Sequence, residues 1–442
     1  MALEIPETSF PRVIVIGGGF GGIQVAKKLR NKEVQVLVLD QHNYHTFQPL
    51  LYQVATGGLE PDSIAFPLRK IFKHHQNIIV RLARVDLIQP EKKSILTSIG
   101  EISYDFLVIA TGSKTNFFGN QEIKDNSMPM KSIPEALNLR SLILQNFEEA
   151  LLKDKPEEQA QLMNFVIVGG GPTGVETAGA LAELKLHVLP NDYPDLDLSK
   201  MQINIIERAP RLLNGMSEQA SKRAEEFLTG LGVRVRTNDS VKSYNSLNAN
   251  LESGVILNTS NLIWTAGVKA ATIAGLDSDL TERGSKLIVD QYNTVMGYEH
   301  IFAIGDVCAM QSKEYPNGHP GVAQAAIQQG KNLAHNIINI VNDRPLTAFK
   351  YNDLGAMATI GRNKAVVDLP LIRFQGVFAW FVWMFLHLLF LVGFRNKLIV
   401  LINWIWNYFS YDNGTRLIIR PFRKNKQVRE EEIKIVQEIN YK

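Results

Sequence analysis

Near its N-terminus the chain alternates apolar and glycine-rich stretches in an order that predicts a strand, a turn, a helix and a second strand. Residues 13–16 are all apolar, a run of glycines closes at Gly22, helix-forming residues follow, and a second apolar run, 34–39, ends in Asp40. Mainly apolar runs of this length are typical of strands buried on both faces of a parallel sheet. The order of the elements predicts a βαβ unit.

The same order of apolar and polar positions returns in the middle of the chain. Residues 165–168 are apolar, a second run of glycines closes at Gly174, and a strand over 202–206 ends in Glu207. In each half a further apolar run ends in a glycine turn, at Gly112 and at Gly267. This repeat predicts an α/β chain with two Rossmann-like dinucleotide-binding domains.

The C-terminal region has a different pattern, with long apolar runs. Residues 374–394 carry no charge and include eight Phe or Trp residues. A helix of that length would cover about 30 Å, enough to cross a bilayer. The run 398–411 is shorter, and its residues Asn403, Asn407 and Ser410 keep a spacing typical of a helix lying in the membrane interface. We expect a hairpin-like pair, joined at residues 395–397 and attached to one leaflet, with a spanning helix and a dimer interface as alternatives.

Composition and charge narrow the class of protein only a little. A chain of 442 residues predicts two or three domains, and a net charge of +3 gives no case for nucleic acid. One cysteine, Cys308, excludes a disulfide framework and a Cys-x-x-Cys redox pair, and its expected role is packing. The N-terminal residues resemble neither a signal nor a transit peptide, which predicts a protein facing the cytoplasm. A basic stretch after Tyr411 fits either an anionic membrane surface or a solvated tail: Arg416, Arg420, Arg423, Lys424, Lys426 and Arg429.

Both glycine turns have the pattern of dinucleotide-binding sites. In G-x-G-x-x-G the first glycine permits the tight turn, the second admits a pyrophosphate, and the third lets helix and strand pack closely. The pyrophosphate lies at the helix N-terminus, where free N–H groups favour anions. An acid after the second strand accepts from ribose hydroxyls; Glu207 therefore favours NADH over NADPH, although Arg208 and Arg211 leave that choice open. The predicted residues are Gly17, Gly19, Phe20, Gly21, Gly22 and Asp40, then Gly169, Gly171, Gly174 and Glu207.

Four motifs in this order resemble the two-dinucleotide-binding-domain flavoproteins. They are the two glycine turns, the turn formed by Ala110, Thr111 and Gly112 with Gly267 as its counterpart, and a late Gly-Asp turn at Asp306. The resemblance covers about residues 10–345. It implies that the first turn holds non-covalent FAD, that the inserted domain holds the nicotinamide dinucleotide, and that Asp306 bonds the ribityl chain of the flavin. Taken alone, Asp306 is equally a turn aspartate at the end of a strand.

Three further segments look like the type II NADH dehydrogenases, the single-subunit, non-proton-pumping NADH:quinone oxidoreductases. They are residues 43–57, the sequence AQAAIQQG at 323–330, and the apolar C-terminal region. The resemblance implies FAD-dependent oxidation of NADH with reduction of a membrane quinone, ubiquinone or menaquinone, and it implies no metal. It also implies peripheral, monotopic attachment to the cytoplasmic face of the cell membrane through residues 374–411.

The same resemblance adds candidate catalytic residues. Gln324 and Gln328 match the segment that lines the quinone pocket in the family, and their i, i+4 spacing puts both on one helix face. Ala323 opens that helix, whose N-terminus would stabilise charge on a reduced flavin. Glu176 matches a glutamate that relays protons, although it is also a first-turn acid suited to the helix dipole. Lys364 matches a basic residue near the flavin and quinone, or it is a solvated turn residue.

These assignments predict four segments. Residues 8–119 and 283–345 form the FAD-binding domain, residues 120–282 the NADH-binding domain, and residues 346–442 a C-terminal domain with membrane-anchoring helices. Two other functions remain open: an NADH-dependent flavoprotein that reduces a soluble acceptor, and a membrane-docked sensor that binds FAD and NADH. The oligomeric state is open as well, and a homodimer is compatible with the sequence.

Overall fold

The computed structural model describes residues 5–277, 279, 281–282, 285–316, 318–411 and 414–423. The chain divides into two compact units, each built from three separate segments. Unit 1 comprises Met1–Thr46, Ala65–Lys114 and Val268–Leu354. Unit 2 comprises Phe47–Ile64, Thr115–Gly267 and Gly355–Lys442.

Strands and helices are numbered along the chain. The strands are β1 (Arg12–Ile16), β2 (Gln35–Asp40), β3 (Tyr44–Thr46), β4 (Ala65–Pro67), β5 (Ile78–Leu82), β6 (Val85–Gln89), β7 (Ser94–Thr97), β8 (Gly100–Ser103), β9 (Phe106–Ile109), β10 (Ser113–Thr115), β11 (Met128–Pro129), β12 (Phe165–Val168), β13 (Ile203–Ile206), β14 (Val233–Arg236), β15 (Val241–Tyr244), β16 (Asn248–Leu251), β17 (Ile256–Asn258), β18 (Asn261–Trp264), β19 (Val268–Ala270), β20 (Thr281–Glu282), β21 (Lys286–Val289), β22 (Ile301–Ala303), β23 (Cys308–Met310), β24 (Ala356–Thr359), β25 (Ala365–Asp368) and β26 (Arg373–Gln375). The helices are α1 (Phe20–Leu29), α2 (Leu51–Ala55), α3 (Pro61–Ile64), α4 (Leu68–Ile71), α5 (Gln121–Asn126), α6 (Ile133–Ala150), α7 (Pro156–Met163), α8 (Pro172–Glu183), α9 (Leu189–Asp192), α10 (Glu218–Gly230), α11 (Ala323–Val341), α12 (Val377–Phe390) and α13 (Phe394–Ser410).

Unit 1 is organised around a five-stranded sheet in the order β22-β9-β1-β2-β5. Its strands pair in parallel, and the apolar residues of β1 are buried from both sides, as continuous apolar strands require. Helix α11 lies closely against α1, since a Cβ at Gly330 would be only 2.6 Å from the carbonyl oxygen of Gly21. The first predicted dinucleotide-binding fold is therefore confirmed.

Unit 2 repeats this architecture with a parallel sheet in the order β11-β18-β12-β13-β14. Helix α8 follows its central strand and continues through a π-helical stretch, Leu184–Val188, into α9. A small antiparallel sheet, β24-β25-β26, packs on α8 where Gly179 faces Gly361; a Cβ at Gly179 would lie 2.7 Å from the amide nitrogen of Gly361. The prediction of two Rossmann-like domains, the second inserted in the first, is confirmed.

The apolar C-terminal region forms two helices, but the predicted junction between them is wrong. The chain breaks at residues 391–393, where Gly393 takes a φ of +88°, and Arg395 and Lys397 lie inside α13. A positive φ is accessible to glycine without steric cost, so the break falls at Gly393 and not at the charged residues. Among the helices that the structure describes, none is both long enough and apolar enough to cross a membrane.

The polar side of α13 faces the protein. Asn403 donates to Glu60 at 2.9 Å, Asn407 to the carbonyl oxygen of Gly58 at 3.2 Å, and Asn396 to that of Asp62 at 2.9 Å. These asparagines bind the segment Phe47–Ile64 of the same unit. The exposed side of α13 is the apolar one.

The basic residues after Tyr411 are partly held by the protein surface. Arg416 forms an ion pair with Asp192, with Nε 2.6 Å from Oδ2, and Arg420 donates to Asn138 at 3.0 Å. Three of the basic residues assigned to this stretch lie outside the described residues: Lys424, Lys426 and Arg429.

Candidate functional site

The first glycine turn leaves open space at the N-terminus of α1, within unit 1. Gly17 has a φ of +109°, and a Cβ at Gly22 would overlap its carbonyl oxygen, so both positions require glycine. At Gly19, in contrast, a Cβ would meet nothing within 4 Å, and no side chain caps α1. The N–H groups of the first helical turn therefore lie beside a space that suits an anion such as a pyrophosphate.

Asp40 braces this turn from the end of β2. Its Oδ2 accepts from the N–H of Gly18 at 2.5 Å, and its Oδ1 accepts from the N–H of His42 at 2.7 Å. Burial raises the pKa of the carboxyl group, and these two N–H groups oppose the rise. The acid assigned to a ribose thus has a structural role in the turn as well.

His45 is part of the same turn, although it was not among the predicted site residues. Its Nδ1 lies 3.0 Å from the carbonyl oxygen of Gly18, and its ring meets Phe20 edge-on at 4.9 Å between centroids. Burial lowers its pKa to about 4, so the ring is neutral near pH 7. Because a carbonyl oxygen only accepts, Nδ1 carries the ring proton. The only sequence signal was its place five residues after Asp40.

Two further predicted segments meet the first turn in unit 1. A Cβ at Gly17 would overlap the carbonyl oxygen of Ala110, which places the end of β9 directly beside the turn. Thr111 has a buried Oγ1 without a hydrogen-bond partner among the described residues, and Gly112, at φ +68°, has open space around it. Asp306 accepts from the hydroxyl of Ser113 at 2.6 Å. FAD is a nucleotide with a polyhydroxyl chain. Its phosphate and hydroxyl groups fit the N-terminus of α1, the buried hydroxyl of Thr111 and the carboxylate of Asp306.

The glutamines of α11 hold protein segments in unit 1. Gln328 donates from Nε2 to the carbonyl oxygen of Asn352 at 2.8 Å and accepts from its N–H at 2.9 Å. Gln324 accepts from the N–H of Leu354 at 3.2 Å. The two predicted quinone ligands thus fasten residues 352–354 along α11.

A third glutamine, Gln329, was missed from the sequence. It is buried, and its Oε1 accepts from the N–H of Gly305 at 2.7 Å, which fixes the Gly-Asp turn that carries Asp306. Cys308 lies beside it, its thiol 3.3 Å from the carbonyl oxygen of Gly305, and burial raises the pKa of that thiol to about 12. The expected packing role of Cys308 agrees with this position.

The second glycine turn, in unit 2, has the same geometry. Gly169 has a φ of +109°, a Cβ at Gly174 would overlap its carbonyl oxygen, and a Cβ at Gly171 would meet nothing within 4 Å. Glu207 accepts from the N–H of Gly170 at 2.5 Å and from that of Ala209 at 2.7 Å. The counterpart turn is closed by Gly267, where a Cβ would lie 2.6 Å from the ring of Phe118.

Glu176 lies in the second turn of α8 and is buried in unit 2. One of its oxygens accepts from the N–H of Thr359 at 3.4 Å, and burial raises its pKa to about 8, against the opposing effect of that N–H and of the indole N–H of Trp383. Tyr52 is a buried neighbour whose hydroxyl pKa is raised by burial and then by Glu176. The carboxyl group is therefore protonated near pH 7.

Trp383 connects this carboxyl group to α12. Its ring stacks on His387 at 4.0 Å between centroids, and Nδ1 of His387 lies 2.8 Å from the Trp383 carbonyl oxygen. Burial lowers the pKa of His387 to about 4, so its ring is neutral near pH 7 where it stacks on Trp383. No sequence pattern linked these residues, because Glu176 and Trp383 are far apart in the chain.

Lys364 lies in the turn between β24 and β25, in unit 2 with Glu176. It lines a cavity of about 570 Å³ together with Glu183, Arg223 and Arg362. The neighbourhood of Lys364 is thus more basic than the sequence indicated.

Comparison with known proteins identifies the family. A family model described as pyridine nucleotide-disulphide oxidoreductase matches residues 11–330, and one described as the NDH2 C-terminal domain matches residues 354–410. The type II NADH:quinone oxidoreductase Ndh of Mycobacterium tuberculosis is 35% identical over 422 residues, which cover 91% of this chain and 89% of the relative. The chain belongs to the type II NADH:quinone oxidoreductase family. The family and the class of enzyme predicted from the sequence are therefore confirmed.

Other members of the family agree with this placement. The type II NADH:quinone oxidoreductase of Haemophilus influenzae is 31% identical over 412 residues, which cover 85% of this chain and 92% of the relative. The solved structure of NDH2 from Plasmodium falciparum in complex with NADH superimposes with a TM-score of 0.85, covering 93% of this chain and 100% of that one. At 22% identity this likeness establishes the fold alone.

Proposed function

We propose that this enzyme binds FAD non-covalently in unit 1 and NADH in unit 2, and reduces a membrane quinone to quinol without pumping protons. FAD, when bound, supplies the carrier that takes a hydride from NADH and passes two electrons on. Ubiquinone and menaquinone both fit this proposal, because they offer similar carbonyl groups. The observation that carries the proposal is the pair of matching glycine turns, each with open space at its second glycine and an acid bonded to the turn.

The two turns have separate tasks in this proposal. The N-terminus of α1 and the space at Gly19 hold the pyrophosphate of FAD, with Asp40, Thr111 and Asp306 toward its hydroxyl groups. The N-terminus of α8 and the space at Gly171 do the same for NADH. The choice of NADH over NADPH is supported by Arg211, whose guanidinium already donates to Asn214 and Ser221 at 3.2 and 3.3 Å. The Arg211 guanidinium is therefore already engaged within the protein and does not point to a 2′-phosphate of NADPH as its partner.

Glu176 supplies a proton during quinone reduction. Its raised pKa keeps the carboxyl group protonated near neutral pH, the state that a proton donor needs. Gln324 and Gln328 remain our candidates for hydrogen bonds to the quinone carbonyls. Because both hold residues 352–354, their substitution would also disturb that segment. Lys364 stays a candidate for the quinone region.

The surface of α12 and α13 supports attachment to the membrane. Phe378, Phe385 and Trp406 are 69%, 65% and 63% exposed, and the polar side of α13 is turned to the protein. Exposed apolar surface on this scale marks a membrane or protein contact. We propose peripheral attachment through residues 374–411 on the cytoplasmic face, which lets an apolar quinone reach the enzyme from the lipid. A homodimer that covers this surface is the alternative.

Anaerobic stopped-flow measurements test the proposal. The purified flavoprotein is first reduced with NADH and then mixed with a quinone while the flavin absorbance is followed. We expect bleaching by NADH and fast reoxidation by quinone, with reoxidation slowed in a Gln324→Ala variant. Bleaching without reoxidation by quinone would leave the soluble-acceptor enzyme or the sensor in its place.

A further inference from the structure

A basic cavity of about 570 Å³ lies in unit 2, at the C-terminal end of α8. It is lined by the π-helical stretch that follows α8, by α10, by the turn between β24 and β25, and by residues at the start of α12 and just after α13. A π-helical stretch within a helix is frequently found at functional sites. The cavity has no assigned role in the proposed reaction apart from the candidate residue Lys364.

This cavity is separate from the NADH turn. Pyrophosphate is expected at the N-terminus of α8, beside Gly171 and Gly174. The cavity residue Glu183 is at the other end of α8, nine residues after Gly174, which corresponds to about 14 Å of helix. An anion in the cavity would therefore not be the pyrophosphate of NADH.

The charges that line the cavity leave an excess of positive charge. Three basic side chains, Arg223, Arg362 and Lys364, face one acid, Glu183. That acid accepts from the backbone N–H of Arg362 at 3.3 Å and lies 3.8 Å from Nε2 of His187, so it is already engaged. An anion is the ligand that this arrangement favours.

The basic groups differ in how tightly the protein holds them. Arg362 donates to the carbonyl oxygens of Asn407 and Tyr408 at the end of α13 and lies on the ring of Tyr411, so it is fixed in place. Lys364 has no recorded partner for its ammonium group within the described residues. Arg223 pairs with Glu226, but both side chains are about half exposed, and such pairs contribute little. The guanidinium of Arg223 also lies 4.8 Å from the ring centre of Phe227, another residue of the cavity wall, which leaves its edge N–H groups for a ligand together with Lys364.

The first turn of α12 adds donors to the cavity wall. Val377, the first residue of this 14-residue helix, lines the cavity, no side chain caps the helix, and its first turn contains no acid. The N–H groups at such a helix end attract anions. The basic side chains and the helix end thus act in the same direction.

Apolar surface begins where the basic wall ends. Val377 is 53% exposed and Phe409, two residues before Tyr411 of the cavity, is 80% exposed. Exposed apolar side chains are thus present in the cavity wall, at Val377, and close to it in sequence, at Phe409. A ligand that combines an anionic phosphate with hydrocarbon chains matches both features, whereas free phosphate matches only the first.

We propose that this cavity binds the phosphate of an anionic phospholipid, with the acyl chains along the exposed ends of α12 and α13. The inference rests on the proposed membrane attachment and specifies the lipid that the attachment selects. Arg223, Lys364 and the α12 N-terminus bind the phosphate oxygens, and Arg362 holds the end of α13 in position.

The test uses the FAD-loaded enzyme and two forms of lipid. Co-sedimentation compares vesicles of phosphatidylcholine with vesicles that also contain phosphatidylglycerol. Calorimetric titration uses dihexanoyl phosphatidylglycerol, dihexanoyl phosphatidylcholine and inorganic phosphate, all below micelle-forming concentrations. We expect phosphatidylglycerol to raise the bound fraction, and its dihexanoyl form to bind more tightly than the other two probes.

Two variants on α10 decide whether the cavity is responsible. Arg223→Gln removes a charge inside the cavity, and Lys222→Gln removes a charge from the neighbouring residue, which does not line it. A basic residue near an anionic surface contributes about fivefold to binding through its charge alone. We expect Arg223→Gln, and likewise Lys364→Gln, to reduce the phosphatidylglycerol-dependent gain well beyond the reduction in Lys222→Gln. Equal reductions would overturn the proposal in favour of non-specific attraction.

The remaining outcomes separate this inference from the proposed attachment. Binding of dihexanoyl phosphatidylglycerol without binding to any vesicle would support the cavity and contradict membrane attachment. Binding to both kinds of vesicle with equal strength would support attachment and contradict the cavity. Inorganic phosphate that binds as tightly as the dihexanoyl lipid would show a free anion as the ligand and overturn the lipid assignment.

Discussion

The two glycine turns of this protein are nearly identical in geometry, but the helices that follow them place different residues at the equivalent position. In each turn the first glycine has a φ of +109°, and the acid that ends the second strand accepts from the turn's second N–H, at 2.5 Å in both. Two residues past the last glycine, however, α1 has Gln24 and α8 has Glu176. The first lies where α1 meets α11, and the second is buried beside β24 and Trp383.

This difference separates what a local motif determines from what it leaves open. The spacing of the glycines fixes the turn, because each clash it avoids involves residues within the turn or beside it. The environment of the helix is set by whatever packs on it, α11 in unit 1 and β24 with α12 in unit 2. The same turn can therefore precede either a residue that packs between two helices, as Gln24 does, or a buried carboxyl group, as Glu176 has.

The largest expected effect comes from filling the open space in each turn. Gly19→Val and Gly171→Val introduce side chains where a Cβ meets nothing, at positions with extended backbone angles, so both variants should fold. We expect Gly19→Val to lose bound flavin almost completely. Gly171→Val should keep its flavin and raise the KM for NADH by roughly a hundredfold, about 2.7 kcal/mol of binding. Flavin absorbance of the purified protein and steady-state kinetics provide the measurements.

The third glycine of each turn provides the control for the two valine variants. A Cβ at Gly22 or Gly174 would overlap a carbonyl oxygen, so Gly22→Ala and Gly174→Ala should lower thermal stability, in contrast to the valine variants. The comparison of the two turns would fail if Gly171→Val released flavin as completely as Gly19→Val.

The second prediction concerns Glu176 and the stability of the protein. Below about pH 4.5 its carboxyl group is protonated in both the folded and the unfolded state. Between pH 4.5 and about 8 only the unfolded state ionises, so the free energy of unfolding falls, and above about 8 the loss is complete. Because Glu176→Gln cannot ionise, it should exceed the wild type in stability by a few kcal/mol near pH 9, at about 1.4 kcal/mol per pKa unit, and by little near pH 5.

Chemical denaturation at the two pH values measures this difference, and Gln24→Glu gives the matching change in the other helix. Gln24 is only half-buried, so the new acid should titrate closer to an ordinary glutamate. A stability difference for Glu176→Gln that stays constant between the two pH values would contradict the raised pKa.

What the sequence predicted correctly was local. The glycine turns follow from spacing along each βαβ unit, and the structure has both turns between a parallel strand and a helix. The assignment of Asp40 and Glu207 to ribose hydroxyl groups stays a prediction. The environment of the polar side of α13 could not be predicted, because Asn403 and Asn407 find their partners in residues 58–60, which are close in space and remote in the chain. Periodicity shows that a helix has two faces, but not which of them meets protein.

Burial could not be predicted for the same reason. Glu176 is an ordinary helix acid until Thr359 and Trp383 cover it, and His45 and Gln329 become part of their turns only through packing. The family resemblance pointed to Glu176, yet the cause of its raised pKa appears only in the structure.

A third and smaller effect is expected at the acid of the second turn. Glu207 accepts from Gly170 and Ala209 through different oxygens, so Glu207→Gln keeps one acceptor and loses the charge. We expect the KM for NADH to rise roughly tenfold, about 1.4 kcal/mol, and the preference for NADH over NADPH to fall. Asp40→Asn is the matched change in the first turn and should weaken flavin retention without altering the nucleotide preference. A change of preference in Asp40→Asn instead would reverse the assignment of the two turns.

The smallest expected effect tests the neighbour that distinguishes α8 from α1. The indole N–H of Trp383 is buried and has no hydrogen bond of normal geometry among the described residues, and its interaction with the Glu176 carboxyl group lowers the pKa of that group. Trp383→Phe removes this N–H but keeps an aromatic ring, so the pKa of Glu176 should rise further, by less than about one unit. The pH profile of quinone reduction should then shift its upper limb to higher pH. Trp404→Phe is the control, because its N–H donates to Gln53 at 2.8 Å. An equal shift in both variants would mean that repacking of the helix pair moves the profile, and that Trp383 does not act through Glu176.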